Sequence, residues 1–566
     1  MSINGTLHLG LSSLQVNQAA IQTVGNNIAN ANDPAYSRQE VILKDRQGIV
    51  GSQGQIIGQG VRLDGIERQV DNALLGRLRN AISDREGSGV SLGFLKQIES
   101  AFNELSDDDL SSRMSQFFNS WNDLSNRPAD VGQRQVVLRE GKALADQIQS
   151  LQERVMQVAD DVDARLDSYI DRVNELGTEI AQLNDAVVRA EQGGNLAANN
   201  IRDRRDELLT ELSQFANIHT IESPEGSIDV YVGSEPLVTA ARSFGVSSRI
   251  ELDQNGQEIV VPTFGNGNDP IKARSGVLGG INETRELIQE TLDRLDALAG
   301  GLIYEMNKVH STGQGLIGYS DITSSNELND ATAALDSADA DVPFEIKNGS
   351  FVLSLRNRGT GEVNSSTVID VNLDGTAGGD SLTDLAAKIN AVDGVSASVV
   401  NNKLRISSVA DGEDVVFSED TSHALAALGI GGFFEGTGAA DIRTSSQMED
   451  VRRLAVSRNF TSGDNTTARM IASLETRKLD SLAGATLDQT YEAMAFDVAT
   501  KIDAATTEHE ATASVYDTLE AQRQSISGVN LDEEAVSLIR YQRSYQASAR
   551  LVAAVDEMLQ TILQLA

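Results

Sequence analysis

At roughly 150 residues per domain, a chain of 566 residues suggests three to four domains. It carries 83 Asp and Glu against 46 Lys and Arg, a formal net charge of −37, which disfavours nucleic acid and anionic membrane surfaces as partners. With no cysteine there is no disulfide, thiolate metal site or cysteine nucleophile. The five histidines (His8, His219, His310, His423, His509) are scattered, no HExxH occurs, and 4% aromatic content is thin for a ligand pocket. No apolar run approaches the ~18–20 residues a membrane span needs. The opening MSINGTLHLGLSS has neither a basic n-region nor a small-residue cleavage site, so it does not read as a Sec signal.

In chain order, the first element is an amphipathic helix. Leu7, Leu11, Leu14, Ile21 and Ile28, with Gln18 and Gly25 interposed, step alternately by four and three residues, a heptad seam with two weak positions. It ends in the Asn-rich run from Asn26 to Asp33, before Pro34. Residues 48–65 are Gly- and Gln-rich and read as short strands or an extended loop. From about Val70 to Phe215 the pattern is mostly helical. Asp107-Asp108-Asp109 reads as a helix start with carboxylates at the positive dipole end. The longest seam runs from Ile148 to Val187, with a stutter at Val158–Val162–Leu166, and a second runs from Leu278 to Val309. Between them, residues 218–273 hold four of the seven prolines and alternating stretches such as Ser227-Ile228-Asp229-Val230-Tyr231-Val232, a β-rich insert.

Residues 311–445 read as an α+β module. Strands are expected at 351–355, 366–371, 395–400, 404–407 and 415–418, with a helix over 381–391. No proline follows Pro343, and residues 440–525 read as a return to helix. After Gly528 comes a closing heptad seam: Leu531, Ala535, Leu538, Gln542, Tyr545, Ala549, Val552, Asp556, Leu559 and Leu563. Both ends of the chain are thus helices with stripes that a lone helix cannot bury. Two short helices zipped only to each other are marginal. The stripes therefore belong either to a monomeric bundle or to contacts with neighbouring subunits, the latter implying ends that order on assembly.

Several motifs invite chemistry and are better read as structure. Asp370-Val371-Asn372-Leu373-Asp374-Gly375 starts like a calcium loop, but the twelfth position is Ser381 rather than Glu and a strand precedes it. Glu508-His509-Glu510 diverges around a helix, and Arg202 to Arg205, interleaved with acids, reads as a salt-bridged helix face. The Gly265–Asp269 run occurs once and reads as a loop. No catalytic, cofactor or metal residue is assigned.

Two motifs carry a resemblance. Gly25-Asn26-Asn27-Ile28-Ala29-Asn30-Ala31-Asn32 followed by Pro34, Tyr36, Ser37, Arg38 and Gln39 resembles the N-terminal signature of bacterial flagellar rod, hook and hook-associated proteins. Ser527 to Glu534, and Tyr541 to Arg550 with Asp556-Glu557-Met558-Leu559, are similar to the C-terminal motif of the hook-associated members. Where the family commonly has glycine before the tyrosine, this chain has Ala35. The resemblance implies a fold that is mainly α with β-rich inserts: terminal helices (1–45 and 528–566) pairing as a coiled-coil polymerisation domain, a helical rod domain (46–217, 274–310 and 446–527), the β insert (218–273) and a variable outer α+β domain (311–445). It implies a non-enzymatic adapter at the hook–filament junction, outside the cell, exported unfolded through the flagellar type III apparatus. The implied partners are further copies in a ring, the hook protein, a filament-side hook-associated protein, and an export chaperone on the C-terminal helix. The assembly residues it implies are Leu7, Leu11, Leu14, Ile21, Ile28, Asn30, Tyr36, Leu531, Leu538, Tyr545, Val552, Leu559 and Leu563. A hook or distal-rod protein, or a secreted adhesin-like protein using residues 311–445, are the alternatives.

Overall fold

The computed structural model describes residues 3–50, 56–102, 109–192, 198–252, 258–265, 270–374, 378–459, 461 and 463–565, with the side chains at 3–4, 49–50, 56–57, 258, 563 and 565 excepted. The apolar stripe at the N-terminus forms α1 (Ile3–Ala29). The Gly-rich segment forms β1 (Gln39–Asp45), β2 (Ile49–Val50), β3 (Ile56–Ile57) and β4 (Val61–Arg68). Four helices follow: α2 (Asn72–Phe102), α3 (Leu110–Asn126), α4 (Val131–Glu191) and α5 (Asn199–Phe215). At the start of α3, Asp109 accepts a 2.7 Å hydrogen bond from the Ser112 N–H, as an N-cap does; Asp107 and Asp108 lie outside the described residues.

The proline-bearing insert forms β5 (Ile218–Glu222), β6 (Ile228–Val232), β7 (Glu235–Thr239), β8 (Arg242–Ser243), β9 (Val246–Leu252) and β10 (Glu258–Phe264), before α6 (Gly276–His310). The α+β segment gives β11 (Asp321–Thr323), β12 (Gly349–Asn357), β13 (Val363–Val371), α7 (Leu382–Asn390), β14 (Val395–Val400), β15 (Lys403–Ser408) and β16 (Glu413–Ser418). After it come α8 (Ala424–Leu428), β17 (Phe434–Glu435), β18 (Arg443–Thr444), α9 (Thr466–Ala472), α10 (Leu487–Ser527) and α11 (Leu531–Leu565).

Two expectations need correction. Residues 440–486 are not continuous helix; short 3-10 turns, the two-residue strand β18 and the seven-residue α9 occupy them. Several backbone groups here bond to the loop after α6 rather than along one continuous helix. Gln314 N donates to Ser457 O and Leu316 N to Arg452 O, both at 2.7 Å. The α4 seam also shifts past its stutter. Ile170 and Asn184 are buried where the spacing gives Tyr169 and Leu183. Asn184 is a junction residue, donating to Ile228 O and Ala240 O and accepting from Ile228 N at 2.7–3.0 Å.

The chain divides into two compact units. The first comprises residues 1–94, 161–284 and 503–566, the second 95–160 and 285–502; the boundary falls within α2, α4, α6 and α10 rather than at the changes of composition. The first unit holds the antiparallel β1–β4 pair, a four-stranded sheet in the order β5-β6-β7-β8 and the β9–β10 hairpin. Here α2 and α6 approach until their backbones touch: a Cβ at Gly280 would lie 2.4 Å from Gly87 O, so only glycine fits. The Arg202–Arg205 face is more than solvated charge. Arg202 pairs with Glu191 and Glu222, whereas Arg205 is 1% exposed and donates to Asn184 Oδ1 and Gly226 O. Burial pulls the Arg205 guanidinium down to about 10. His509 of the motif Glu508–Glu510 faces α2, its Nδ1 3.2 Å from Ser88 Oγ.

The second unit contains two three-stranded sheets, β11-β15-β14 and β13-β12-β16, with α7 started by a Ser381–Asp384 capping box. Asp370 lies in β13 and the turn after it is closed by Asn372 Oδ1 accepting from Asp374 N; Gly375 is outside the described residues. An aromatic cluster of Phe117, Trp121, Phe433 and Phe434 forms a fully buried core around His310. His310 Nδ1 donates to Gly431 O at 2.8 Å, and Nε2 accepts from Ala455 N at 3.0 Å, so the ring is held neutral.

Burial pushes the His310 imidazole down to about 4. A histidine whose folded pKa lies below its unfolded value contributes stability above the unfolded pKa near 6.5, and that contribution is lost as pH falls toward 4. The destabilisation caused by His310→Gln is therefore largest at pH 7 and smaller by roughly 3 kcal/mol at pH 4. Urea unfolding followed by fluorescence of Trp121, the only tryptophan and 6.2 Å from the His310 ring, measures this; a pH-independent difference would refute it.

Candidate assembly interface

Within the first unit, α1 and α11 pack antiparallel along most of their length. Ser13 Oγ meets Ser548 Oγ at 2.7 Å near the middle of both helices, and Asn27 Nδ2 donates to Glu534 Oε2 at 3.0 Å where α1 ends and α11 begins. The seam of contact is displaced by one residue from the apolar one. On α1 it runs Gly10, Ser13, Asn17, Ala20, Val24 and Asn27, rather than Leu11, Leu14, Gln18, Ile21, Gly25 and Ile28. On α11 the residues Leu538, Val552 and Leu559 keep their place, half-buried. Their companions on the seam are Glu534, Ser548 and Val555, not the expected Ala535, Ala549 and Asp556. A hydropathy pattern cannot find this seam because Gly10, Ser13, Asn17, Ala20, Asn27, Glu534 and Ser548 on it are small or hydrogen-bonded. At Gly10 an added Cβ would lie 2.6 Å from Val552 Cγ2, so the glycine sets the closeness of the two helices.

The signature residues make a buried polar clamp at the open end of α1. The Asn27 Oδ1 accepts from Tyr36 OH at 2.8 Å and from Gln39 N at 3.0 Å, while its Nδ2 donates to Gln39 O and to Glu534 Oε2 at 3.0 Å each. Glu534, 1% exposed, receives Arg38 Nε at 2.9 Å, and Arg38 N donates to Ser527 O. Asn26 Nδ2 donates to Tyr36 OH. Burial, with the nearby charges of Asp203 and Glu534, pushes the Tyr36 phenol up to about 12, so it stays a donor at any physiological pH. The turn itself is an Asx turn: Asp33 Oδ1 accepts from Ala35 N at 2.9 Å. Ala35 is not among the residues with positive φ, so this turn needs no glycine.

The residues expected at the assembly surface fall into two groups. Tyr36 is buried in the clamp, and Asn30 caps α1 by donating to Asn26 O and Oδ1. Leu7, Leu14, Ile21, Leu538, Val552 and Leu559 are half-buried along the helix pair. Leu11, Ile28, Leu531 and Tyr545 remain exposed, Leu531 at 54%. The Leu563 side chain lies outside the described residues. Val536, Ile539, Leu551, Met558 and Ile562 of α11 are exposed as well, Val536 at 67%. Asn27, Arg38, Gln39 and Glu534 are the members that a search for greasy stripes misses; Asn27 and Glu534 lie one residue off the apolar spacing, and Arg38 and Gln39 lie outside the two helices.

Charge singles out the same helices. Residues 1–32 contain no Asp, Glu, Lys or Arg, and residues 531–566 contain five carboxylates and three guanidiniums. Little of the net −37 is carried by the helix pair, so charge repulsion is weakest there. Among the described residues, no helix is long and apolar enough to cross a membrane.

A family model described as "Flagellar hook-associated protein FlgK helical domain" matches residues 95–322, and one described as "Flagellar basal body rod FlgEFG protein C-terminal" matches residues 520–565, which include α11. Over their full lengths, the chain is 24% identical to Flagellar hook-associated protein 1 of Escherichia coli (strain K12) and 25% identical to that of Salmonella typhimurium, with 100% of each chain covered. The solved structure of the flagellar hook junction protein FlgK from Burkholderia pseudomallei shares the fold with a TM-score of 0.50 at 15% identity, covering 80% of this chain and 100% of that one. The mainly helical architecture with β-rich parts, the two family models and the end-to-end relatives converge: from end to end the chain is similar to flagellar hook-associated protein 1.

Proposed function

We propose that this chain is a structural component of the flagellum, the adapter at the hook–filament junction, and that it polymerises through α1 and α11. The observation that carries this is the apolar surface left on a helix pair that is already zipped. Leu11, Ile28, Leu531, Val536, Ile539, Met558 and Ile562 are 36–67% exposed. Burying one such side chain in a neighbouring subunit stabilises by roughly 1.5–3 kcal/mol, and closing a ring repeats that gain at every subunit.

In this reading residues 1–45 and 528–566 line the inner tube, the helical segments form the shell around it, and residues 311–445 point outward. The hook protein lies on one side and a filament-side hook-associated protein on the other. Export runs through the type III apparatus, with a chaperone shielding the α11 stripe beforehand by a helix-in-groove mode. A chain without cysteine passes this route without cross-linking.

The test is placement. Hook–basal bodies isolated from cells making a tagged chain should carry the tag as a band at the distal hook end. A tag along the rod or throughout the hook would assign the chain to another member of the axial series and overturn the junction reading.

A further inference from the structure

The face of α11 turned away from α1 carries Val536, Ile539, Arg540, Arg543, Ala547, Arg550 and Met558, all exposed and all at helical spacing. Arg540 and Arg543 are three residues apart, a like-charge pair that weakens a helix. Arg540 leans on Tyr541, donating to its hydroxyl. Arg543 and Arg550 pair with no carboxylate among the described residues, and the positions three and four residues to either side of them are Ile539, Arg540, Gln546, Ala547, Ala553 and Ala554. In a chain with 83 acidic residues, a guanidinium strip without a carboxylate of its own is suited to an anionic surface elsewhere.

Such a surface exists in the same unit. A groove of about 510 Å³ opens between the Asp33–Ser37 turn, α2, α5 and α10. Leu78 and Ile82 line it together with Asp33, Asp206, Glu207, Glu211 and Glu520, and Arg523 is the cation among the lining residues. Asp206 is already held by Arg68 and Arg79, whereas Glu207, Glu211 and Glu520 each hold one arginine, Arg204, Arg172 and Arg523 respectively, and Asp33 holds none among the described residues. A carboxylate has about four acceptor sites, so each of these glutamates can take a second guanidinium.

We infer that Arg543 and Arg550 of one copy dock on the carboxylate-lined groove of the next copy, a head-to-tail latch between two different patches of the same chain. Different patches give a heterologous contact, the kind that closes into a ring or propagates along a tube. The occupant is a second copy because both halves lie on this one sequence and the charges are complementary. The steering would also be salt-sensitive, since exposed pairs are screened over about 8 Å at physiological ionic strength. The inference rests on the proposed assembly through α1 and α11.

The test uses full-length chains in cells, with export checked by the amount of chain reaching the medium. Arg543→Glu with Arg550→Glu should lower incorporation at the hook tip at least tenfold without lowering export. The absence of native cysteine allows a second measurement: copies carrying Arg543→Cys mixed with copies carrying Glu211→Cys should give a cross-linked dimer with a short bismaleimide, and neither should do so alone. Normal incorporation of the double glutamate variant, while Ile539→Asp still blocks, would overturn the latch and leave the assembly reading intact. Loss of incorporation without any mixed cross-link would also overturn it, by assigning the arginines to the hook protein or the chaperone. Normal incorporation of both the arginine and the Ile539 variants would remove the assembly reading itself.

Discussion

Replacing Asn27 by leucine should unzip the two chain ends and abolish assembly, although the substitution is apolar and similar in volume. Asn27 makes four hydrogen bonds in a buried setting, two as acceptor and two as donor. Leucine leaves the Gln39 N–H and the Tyr36 hydroxyl without their acceptor, and takes a donor from Gln39 O and Glu534. Each orphaned buried group costs about 1–3 kcal/mol, and because these share one network the total is about 4 kcal/mol rather than their sum. That is a large fraction of the stability of any local unit, and it falls on the point where the two termini are joined. Limited proteolysis of the dilute monomer should release roughly the first 40 and last 40 residues about 10²–10³ times faster than in the parent chain. The remainder of the chain should keep its unfolding midpoint. Equal trimming rates would mean that the clamp does not hold the ends.

Ile539→Asp should do the opposite: leave the monomer as stable as before, and stop incorporation. Ile539 is 50% exposed on the outward face of α11, and surface substitutions of this kind change stability by about 0.5 kcal/mol or less. In an assembled tube the same side chain would be covered, and a carboxylate there would be a buried charge without a partner, costing several kcal/mol. The contrast with Leu538→Asp or Leu559→Asp is useful. Those residues are half-buried in α11, so their substitution strikes the helix pair as well as the outer surface. Matched denaturation curves for parent and Ile539→Asp chains, together with counts of the chain on isolated hooks, separate the two effects. Normal incorporation of Ile539→Asp would show that the exposed stripe is not an assembly surface.

These two residues also mark where reading the chain works and where it stops. The 4-3 spacing of Leu538, Tyr545, Val552 and Leu559 announces a helix and its general direction, and strand alternation locates β12 to β16 to within a few residues. Spacing fails at the second half of each stripe, because Gly10, Asn27, Glu534 and Ser548 are buried, and Ser13 half-buried, for closeness or hydrogen bonding and have no apolar signal. It fails again at residues 440–486, where several backbone groups bond to the loop after α6 rather than along one continuous helix. The terminal motifs were legible as a likeness, but not as a mechanism. Tyr36 and Asn30 stand out in the sequence, yet nothing local says that Tyr36 donates to Asn27 while Asn30 only closes the helix end.

The sequence by itself determined that this chain is largely helical, that it is strongly acidic except at its two ends, and that those ends are amphipathic, because periodicity and charge are properties of neighbours along the chain. Only the tertiary structure decided which face of each terminal helix turns inward. That choice depends on groups about 500 residues apart, Asn27 with Glu534 and Ser13 with Ser548, whose hydrogen bonds join the two helices while Leu11, Ile28, Leu531 and Ile539 stay open to water.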